Sequence, residues 1–396
     1  MIGIIGSYIA LAIGWIIFSY GFKDSGLTLS TNALVVQIQQ PLTHLIYYER
    51  WATGVVYIIG LIALTALYFV MRRKVIETSG YIKVCIVVLS LMGIVAFPAL
   101  SYDVFNYMTT AKVAFTHKEN PYIVMPIDIP NEPNLSFTRA ANKVALYGPI
   151  WIGISALPHA LGQGNTWMTI LAFKWVAVAS YLMLIYLVWK MTKKWENVIF
   201  FAFNPLIIME LLIAGHNDGV MMVLAICGMY IYWSKNKWNK WMGLLVLGLS
   251  SLVKGSTVVL LPLFIYPWRE KETMIKIAFW LMLGVFVIAA PIREELYPWY
   301  FVWAISIASL VDIKKEKFMS GLVIIMSIAL ELRHVPYMMM GYYEGYGPVY
   351  RILLTAIPIA GYLIYYAIKN HAKILHNILN TCPQSLHESV GRRARY

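Results

Sequence analysis

Long apolar runs alternate with short polar and basic stretches along the whole chain. A helix rises about 1.5 Å per residue, so about 20 apolar residues cross the roughly 30 Å hydrocarbon layer of a bilayer. On that criterion the runs near 2–20, 52–71, 82–100, 167–189, 196–213, 215–233, 241–254, 256–268, 275–291, 297–311, 318–333 and 349–368 predict about twelve spans. The runs 241–254 and 256–268 are short, and they also read as one helical hairpin that dips into the bilayer and breaks at Lys254-Gly255. The run 149–161, "PIWIGISALPHAL", is too short to cross and contains Pro158, so it reads as a re-entrant or interfacial helix. The first run lacks a basic leading segment and a small-residue cleavage site, and reads as a retained span. The expected fold class is an all-α polytopic membrane protein. Residues 1–368 form a single transmembrane domain, and 369–396 form a basic cytoplasmic tail.

Composition agrees with that pattern. The chain is 60% hydrophobic and only 13% charged, against about 25% charged in a soluble domain, so it cannot build a polar surface. Its 14 Trp and 27 Tyr suit the boundary between lipid and water. A formal charge of +13 on a soluble protein would point to nucleic acid; here it points to basic loops beside a bilayer, and no nucleic-acid partner is expected. If 149–161 does not cross, most of the 32 Lys and Arg fall on one side, in short loops near 72–83, 190–194, 235–240, 269–276 and 314–317 and in the tail. The positive-inside rule then places both termini in the cytoplasm of a plasma-membrane protein. The other side receives the loop 101–148, "AGHND" at 214–218, the turn at Lys254, "PIREELYPWY" at 291–300 and "LRHVPYMMMGYYEGYG". Cys85, Cys227 and Cys382 show neither a disulfide framework nor a zinc spacing.

Nearly every unusual polar residue falls on that external side. Asp103 follows an apolar run and precedes an amphipathic stretch; it is either a helix cap or a general base acting on a hydroxyl. Tyr107, four residues on, shares its helix face. His216, Asn217 and Asp218 open a span. One of them could cap it, but three adjacent polar side chains in apolar sequence suit contact with a substrate. His216 and Asp218 alone do not make a metal site. Lys254, between two apolar segments, either holds an anion such as phosphate or pairs with Glu210 or Asp218. Arg293, Arg333 and His334 add positive charge on the same side, as phosphate ligands or as solvated loop residues. The aromatic elements "YGPIW", with Tyr147, and "YPWYFVW", with Trp299 and Tyr300, are interfacial belts or stacking walls for sugar rings.

Five of these elements, in order across residues 101–303, resemble motifs of bacterial GT-C glycosyltransferases that use polyprenyl-phosphate mannose. "DVFNYMTTAKVAFTHKENPY" resembles their D…Y…G…NPY opening, and "YGPIW" their YGPLW element. "NPLIIMELLIAGHNDG" resembles NPL…E…GHxD, "LVKGSTVVLLPL" resembles LVKxxPLLLLPL, and "YPWYFVW" resembles PWYxxW. The resemblance implies a GT-C-like bundle with external interfacial helices. It implies inverting transfer of a sugar, mannose in that group, from a polyprenyl-phosphate donor to a glycolipid or glycan acceptor outside the cytoplasmic membrane. It makes Asp103 the general base in the first large external catalytic loop, 101–148. It puts Tyr107, Asn120, Tyr122, Tyr147, His216, Asn217, Asp218, Trp299 and Tyr300 around donor and acceptor. Lys254 would hold the phosphate, with Arg293, Arg333 and His334 adding charge. The chain departs from the family pattern in having Lys118-Glu119 before Asn120-Pro121-Tyr122, and in placing Asp103 after the third apolar run rather than the first.

Two other classes compete. A transporter would use Lys174, Glu210, Asp218 and Lys254 as an ion path, but repeat symmetry is not evident. A lipid-linked polysaccharide ligase or polymerase would use the Arg- and His-bearing external loop 333–347. The sequence contains no Walker A, GxGxxG, HExxH or GxSxG element, so no cofactor and no metal are expected.

Overall fold

The computed structural model describes residues 2–74, 79–234, 238–293, 295–342 and 344–381. It is helical, with no strand among the described residues. Each predicted apolar run lies on helix, but twelve crossings are not what the helix lengths give. Among the described residues, six helices are long and apolar enough to cross a membrane: Ile2–Gly21, Arg50–Arg73, Thr166–Thr192, Lys271–Ile292, Lys317–Met340 and Gly347–Asn370. A seventh crossing is added if Trp195–Ala202 and Ile207–Ile213, bent by 65°, are one broken span. The shortfall lies in the short apolar helices Ser79–Val95, Asp218–Tyr232, Gly255–Ile265 and Pro298–Ala308. The 241–268 region breaks where the hairpin reading puts the break. Trp238–Ser251 ends, Lys254 is extended (φ −156°, ψ 126°), and a 3-10 turn, Gly255–Leu260, runs into Leu261–Ile265. A helix not foreseen from the sequence, Ala33–Thr43, starts at an Asn32 cap whose side chain accepts from the Leu34 N–H.

Side chains such as Ile59, Ile62, Trp175, Ile357 and Ile364 lie exposed on the outside of the bundle, as lipid-facing residues do. The inside is organised around one segment: every residue from Asn197 to Gly219 is buried. Its bend falls at Asn204-Pro205. The proline has no N–H to continue the helix, and Asn204 supplies the missing contacts, accepting from the Leu206 N–H and donating to Ser327 Oγ at 3.0 Å. Beyond the bend, Ile207–Ile213 winds as a π-helix, a form concentrated at functional sites. Buried Lys174, on Thr166–Thr192, caps that turn by donating to the carbonyls of Leu212 and Ile213. Gly215 then reverses the chain at φ +80°, a conformation open to glycine. The polar trio His216, Asn217 and Asp218 is therefore held at the centre of the protein.

Two backbones also meet closely beside this segment. The N–H of Gly148 donates to the carbonyl of Val253, and that of Ile150 to Leu252. A Cβ on Gly148 would stand 2.0 Å from the Leu252 carbonyl oxygen. That approach joins the "YGPIW" element, at the start of the Pro149–Gly162 helix, to the turn that carries Lys254.

Candidate functional site

Asp103 is the first residue of the Asp103–Phe115 helix. Its carboxylate does not cap that helix: Oδ1 accepts from the side-chain amide of Asn106 at 3.2 Å. Oδ2 lies 3.3 Å from Nδ1 of His216, and the side chain remains 21% exposed. It opens on a cavity of about 500 Å³ that is also lined by Asn106, Arg139, Tyr147, Lys254, Glu295, Tyr297, Trp299, Tyr300, Arg333, His334 and Arg351.

Behind this wall the contacts continue inward. His216 Nε2 is 3.1 Å from Glu210 Oε2, and the other oxygen of Glu210 is hydrogen-bonded to Nε2 of His334 at 3.1 Å. Burial alone would lower the pKa of His216, but the carboxylates of Asp103 and Glu210 on either side outweigh it and raise it to about 9. Burial would likewise raise the pKa of Asp103. The His216 imidazolium, Lys254 and the Asn106 amide more than offset it and hold the acid below its ordinary value. Asp103 is thus an anion across the neutral range. Trp299 stacks on His216 with centroids 4.3 Å apart, and Tyr297 stacks on Trp299 at 4.4 Å. An imidazolium against an indole face gains further cation–π attraction.

Lys254 pairs with Asp218, not Glu210, with Nζ 3.0 and 3.1 Å from the two carboxylate oxygens. The indole N–H of Trp303 also donates to Asp218, and the Lys254 ammonium lies 4.3 Å from the Tyr300 ring centroid. Asp218 therefore does not cap its helix; it orients Lys254 at the cavity wall. At the opposite wall, Arg333 and Arg351 share Oε1 of Glu295 at 2.7 and 2.6 Å, two cations to one anion. Arg139 lies over the Tyr102 ring.

The structure thus brings Asp103, Tyr147, Lys254, Trp299, Tyr300, Arg333 and His334 onto one cavity, with His216 and Asp218 directly behind them. Tyr107 is fully enclosed; its hydroxyl accepts from the Asn217 N–H and its ring packs on Tyr147 and Trp151. Both amide atoms of buried Asn217 have no protein partner. Asn120 and Tyr122 do not line the cavity. The Asn120 side chain accepts from the Tyr122 N–H, and the Tyr122 hydroxyl donates to the Tyr147 carbonyl, so the pair braces the wall from outside. The side chain of Arg293 lies outside the described residues, as does Cys382.

Asn106, Glu295 and Arg351 were not picked out from the sequence. Each carried a signal: Asn106 lies three residues from Asp103 on one helix face, Glu295 sits within "PIREELYPWY", and Arg351 interrupts the last apolar run. The transporter reading loses Lys174 from its ion path, since that ammonium is bonded to backbone carbonyls.

The approach of Gly148 to Leu252 gives a direct test of how tightly the wall is built. Gly148→Ala should cost about 1–3 kcal/mol, because the new methyl meets backbone that cannot yield. It should also slow turnover by moving the Lys254 turn. A melting temperature and a turnover rate both equal to wild type would show that the wall tolerates the shift.

The fold and the cavity together define a helical membrane protein with a mixed-charge, aromatic-walled chamber. Residues 2–270 match the family model MptA_B, described as alpha-(1→6)-mannopyranosyltransferase, N-terminal domain, and the chain belongs to this family. It is accordingly placed in a mannosyltransferase group, as the five motifs indicated. The matched region contains Asp103, His216, Asp218 and Lys254; the Trp299, Arg333 and Arg351 side of the cavity lies beyond it. No curated protein and no solved structure matches the chain.

Proposed function

We propose that this protein moves mannose from a polyprenyl-phosphate donor to a hydroxyl of a glycolipid or glycan acceptor, on the external face of the cytoplasmic membrane. The observation that carries the reading is the carboxylate of Asp103, open to a cavity whose other charged groups are chiefly cations and whose second acid, Glu295, is held by Arg333 and Arg351. The acceptor hydroxyl gives its proton to Asp103 as its oxygen bonds to C1 of the sugar. The C1–O bond to phosphate breaks, and polyprenyl phosphate leaves. One displacement inverts C1, and a second carboxylate placed as a nucleophile is not needed. Lys254 and the Arg333–Arg351 pair supply positive charge for the departing phosphate. His216 and Asp218 back the lining residues Asp103 and Lys254 from behind, with Asn217 between them, and Tyr147, Trp299 and Tyr300 form walls against which a sugar ring packs.

The external placement is supported by the packing of the basic loops. Lys194 pairs with Asp312, Lys314 with Glu196, and Lys276 with Glu316, and none of these residues lines the cavity. These short basic loops pack against one another apart from the cavity, as a cytoplasmic basic side and an external site would have them. The reading keeps residues 1–368 as one catalytic membrane domain, with the termini on the basic side.

The test is transfer in proteoliposomes containing purified protein, radiolabelled polyprenyl-phosphate mannose and a total glycolipid extract. Label should enter the glycolipid. Because Asp103 is held below its ordinary pKa, its carboxylate persists above that value and is lost only as pH falls through the lowered one. Asp103 should therefore produce no loss of rate on acidification within the neutral range. Transfer of other polyprenyl-phosphate sugars but not mannose would overturn the donor assignment.

A further inference from the structure

Behind His334 lies a cluster that the proposed transfer does not use. Ligand atoms of Glu210, Glu331 and His334 all fall within 4.8 Å of one another. Both glutamates are fully buried, and His334 reaches the cavity. Two carboxylates this close in a buried site cannot both stay ionised without a proton or a cation between them.

The arrangement around them is that of supported ligands. The Tyr57 hydroxyl lies 3.0 Å from Oε2 of Glu331 and 3.1 Å from its carbonyl, which leaves Oε1 buried with no partner. His216 stands beside Oε2 of Glu210, so the oxygen facing His334 is Oε1. Each carboxylate thus has one oxygen facing an outer neighbour, Tyr57 for Glu331 and His216 at 3.1 Å for Glu210, and one turned to the cluster. Metal ligands are commonly oriented in this way.

We propose that Glu210, Glu331 and His334 form a binding site for one divalent cation, with water completing the coordination. Two carboxylate oxygens and one imidazole nitrogen suit manganese or zinc. The ion balances the two carboxylates and takes Nε2 of His334 as its nitrogen ligand. His216 and Asp103 remain as a separate balanced pair. The cavity is the entry path, through His334. The site concerns ion binding alone and does not depend on which sugar is transferred.

The test uses purified full-length protein, free of any affinity tag and stripped with chelator, then equilibrated with Mn²⁺ or Zn²⁺ alone. Bound metal per chain and melting temperature are both read. Wild type should retain one ion per chain and melt at higher temperature with it. Glu331→Gln should lose the ion, Tyr57→Phe should weaken it by about tenfold, and Asp103→Asn should keep it. No uptake by wild type would overturn the proposal and leave a proton as the occupant. Equal uptake by wild type and Glu331→Gln would overturn it in favour of adventitious binding elsewhere.

Discussion

Asp103→Asn lowers the rate of mannosyl transfer by about 10²–10⁴. The amide matches the carboxylate in shape and still offers an oxygen to Asn106, so the local hydrogen bond survives. What disappears is the site proposed to take the acceptor proton. His216 loses one of its two anionic neighbours but keeps Glu210, so the fold loses less than the chemistry does. The variant should bind donor and melt near the wild-type temperature while turning over slowly. Equal rates for the two proteins would reduce Asp103 to a partner of His216 and move the search for the base elsewhere on the wall.

Lys254→Met should be the most damaging substitution to stability. It leaves Asp218, whose side chain is wholly buried, with the Trp303 indole as its remaining donor. Removing one member of a buried pair typically costs about 3–5 kcal/mol, because the other charge stays behind. Adding Asp218→Asn removes the stranded charge, and the double variant should recover most of the lost stability. Activity should not return with it, because the cation proposed to face the leaving phosphate is still missing. A double variant as unstable as the single one would show that Lys254 acts through packing, and recovery of turnover would remove Lys254 from the phosphate site. The two readouts separate the structural from the catalytic part of one residue.

Some of this was legible in the residue order and some was not. Asp103, the Gly215–Asp218 turn, Lys254 and the Tyr297–Trp303 aromatics stood out as polar or ring-rich breaks in apolar sequence, and the fold gathers them around one cavity and the wall behind it. The count of crossings was not legible, because hydropathy registers what a stretch is made of and not whether its helix runs on. Asn204-Pro205 bends one apolar run, and extended Lys254 breaks another. The cluster of Glu210, Glu331 and His334 was hidden for a different reason. Glu331 and His334 lie three residues apart on one stretch, but Glu210 is a lone acid in a distant apolar run, and packing across 124 residues makes it their neighbour. Asn120 and Tyr122 show what a motif leaves unsaid: it groups them with the substrate contacts, and the fold adds that they prop Tyr147 from outside the cavity.

The long separations also bear on how the chain is made. Glu210 is synthesised 124 residues ahead of His334, and Asp218 is synthesised 36 residues ahead of Lys254. At roughly 5–20 residues per second the first gap lasts on the order of ten seconds. During that interval the emerging chain carries acids whose final partners do not yet exist. Insertion must shelter them, either as neutral acids or in contact with water and the translocation machinery. The mature chamber is complete only when the helix bearing Arg351 arrives, so a chain stalled before that helix has Asp103 but lacks one wall of its chamber.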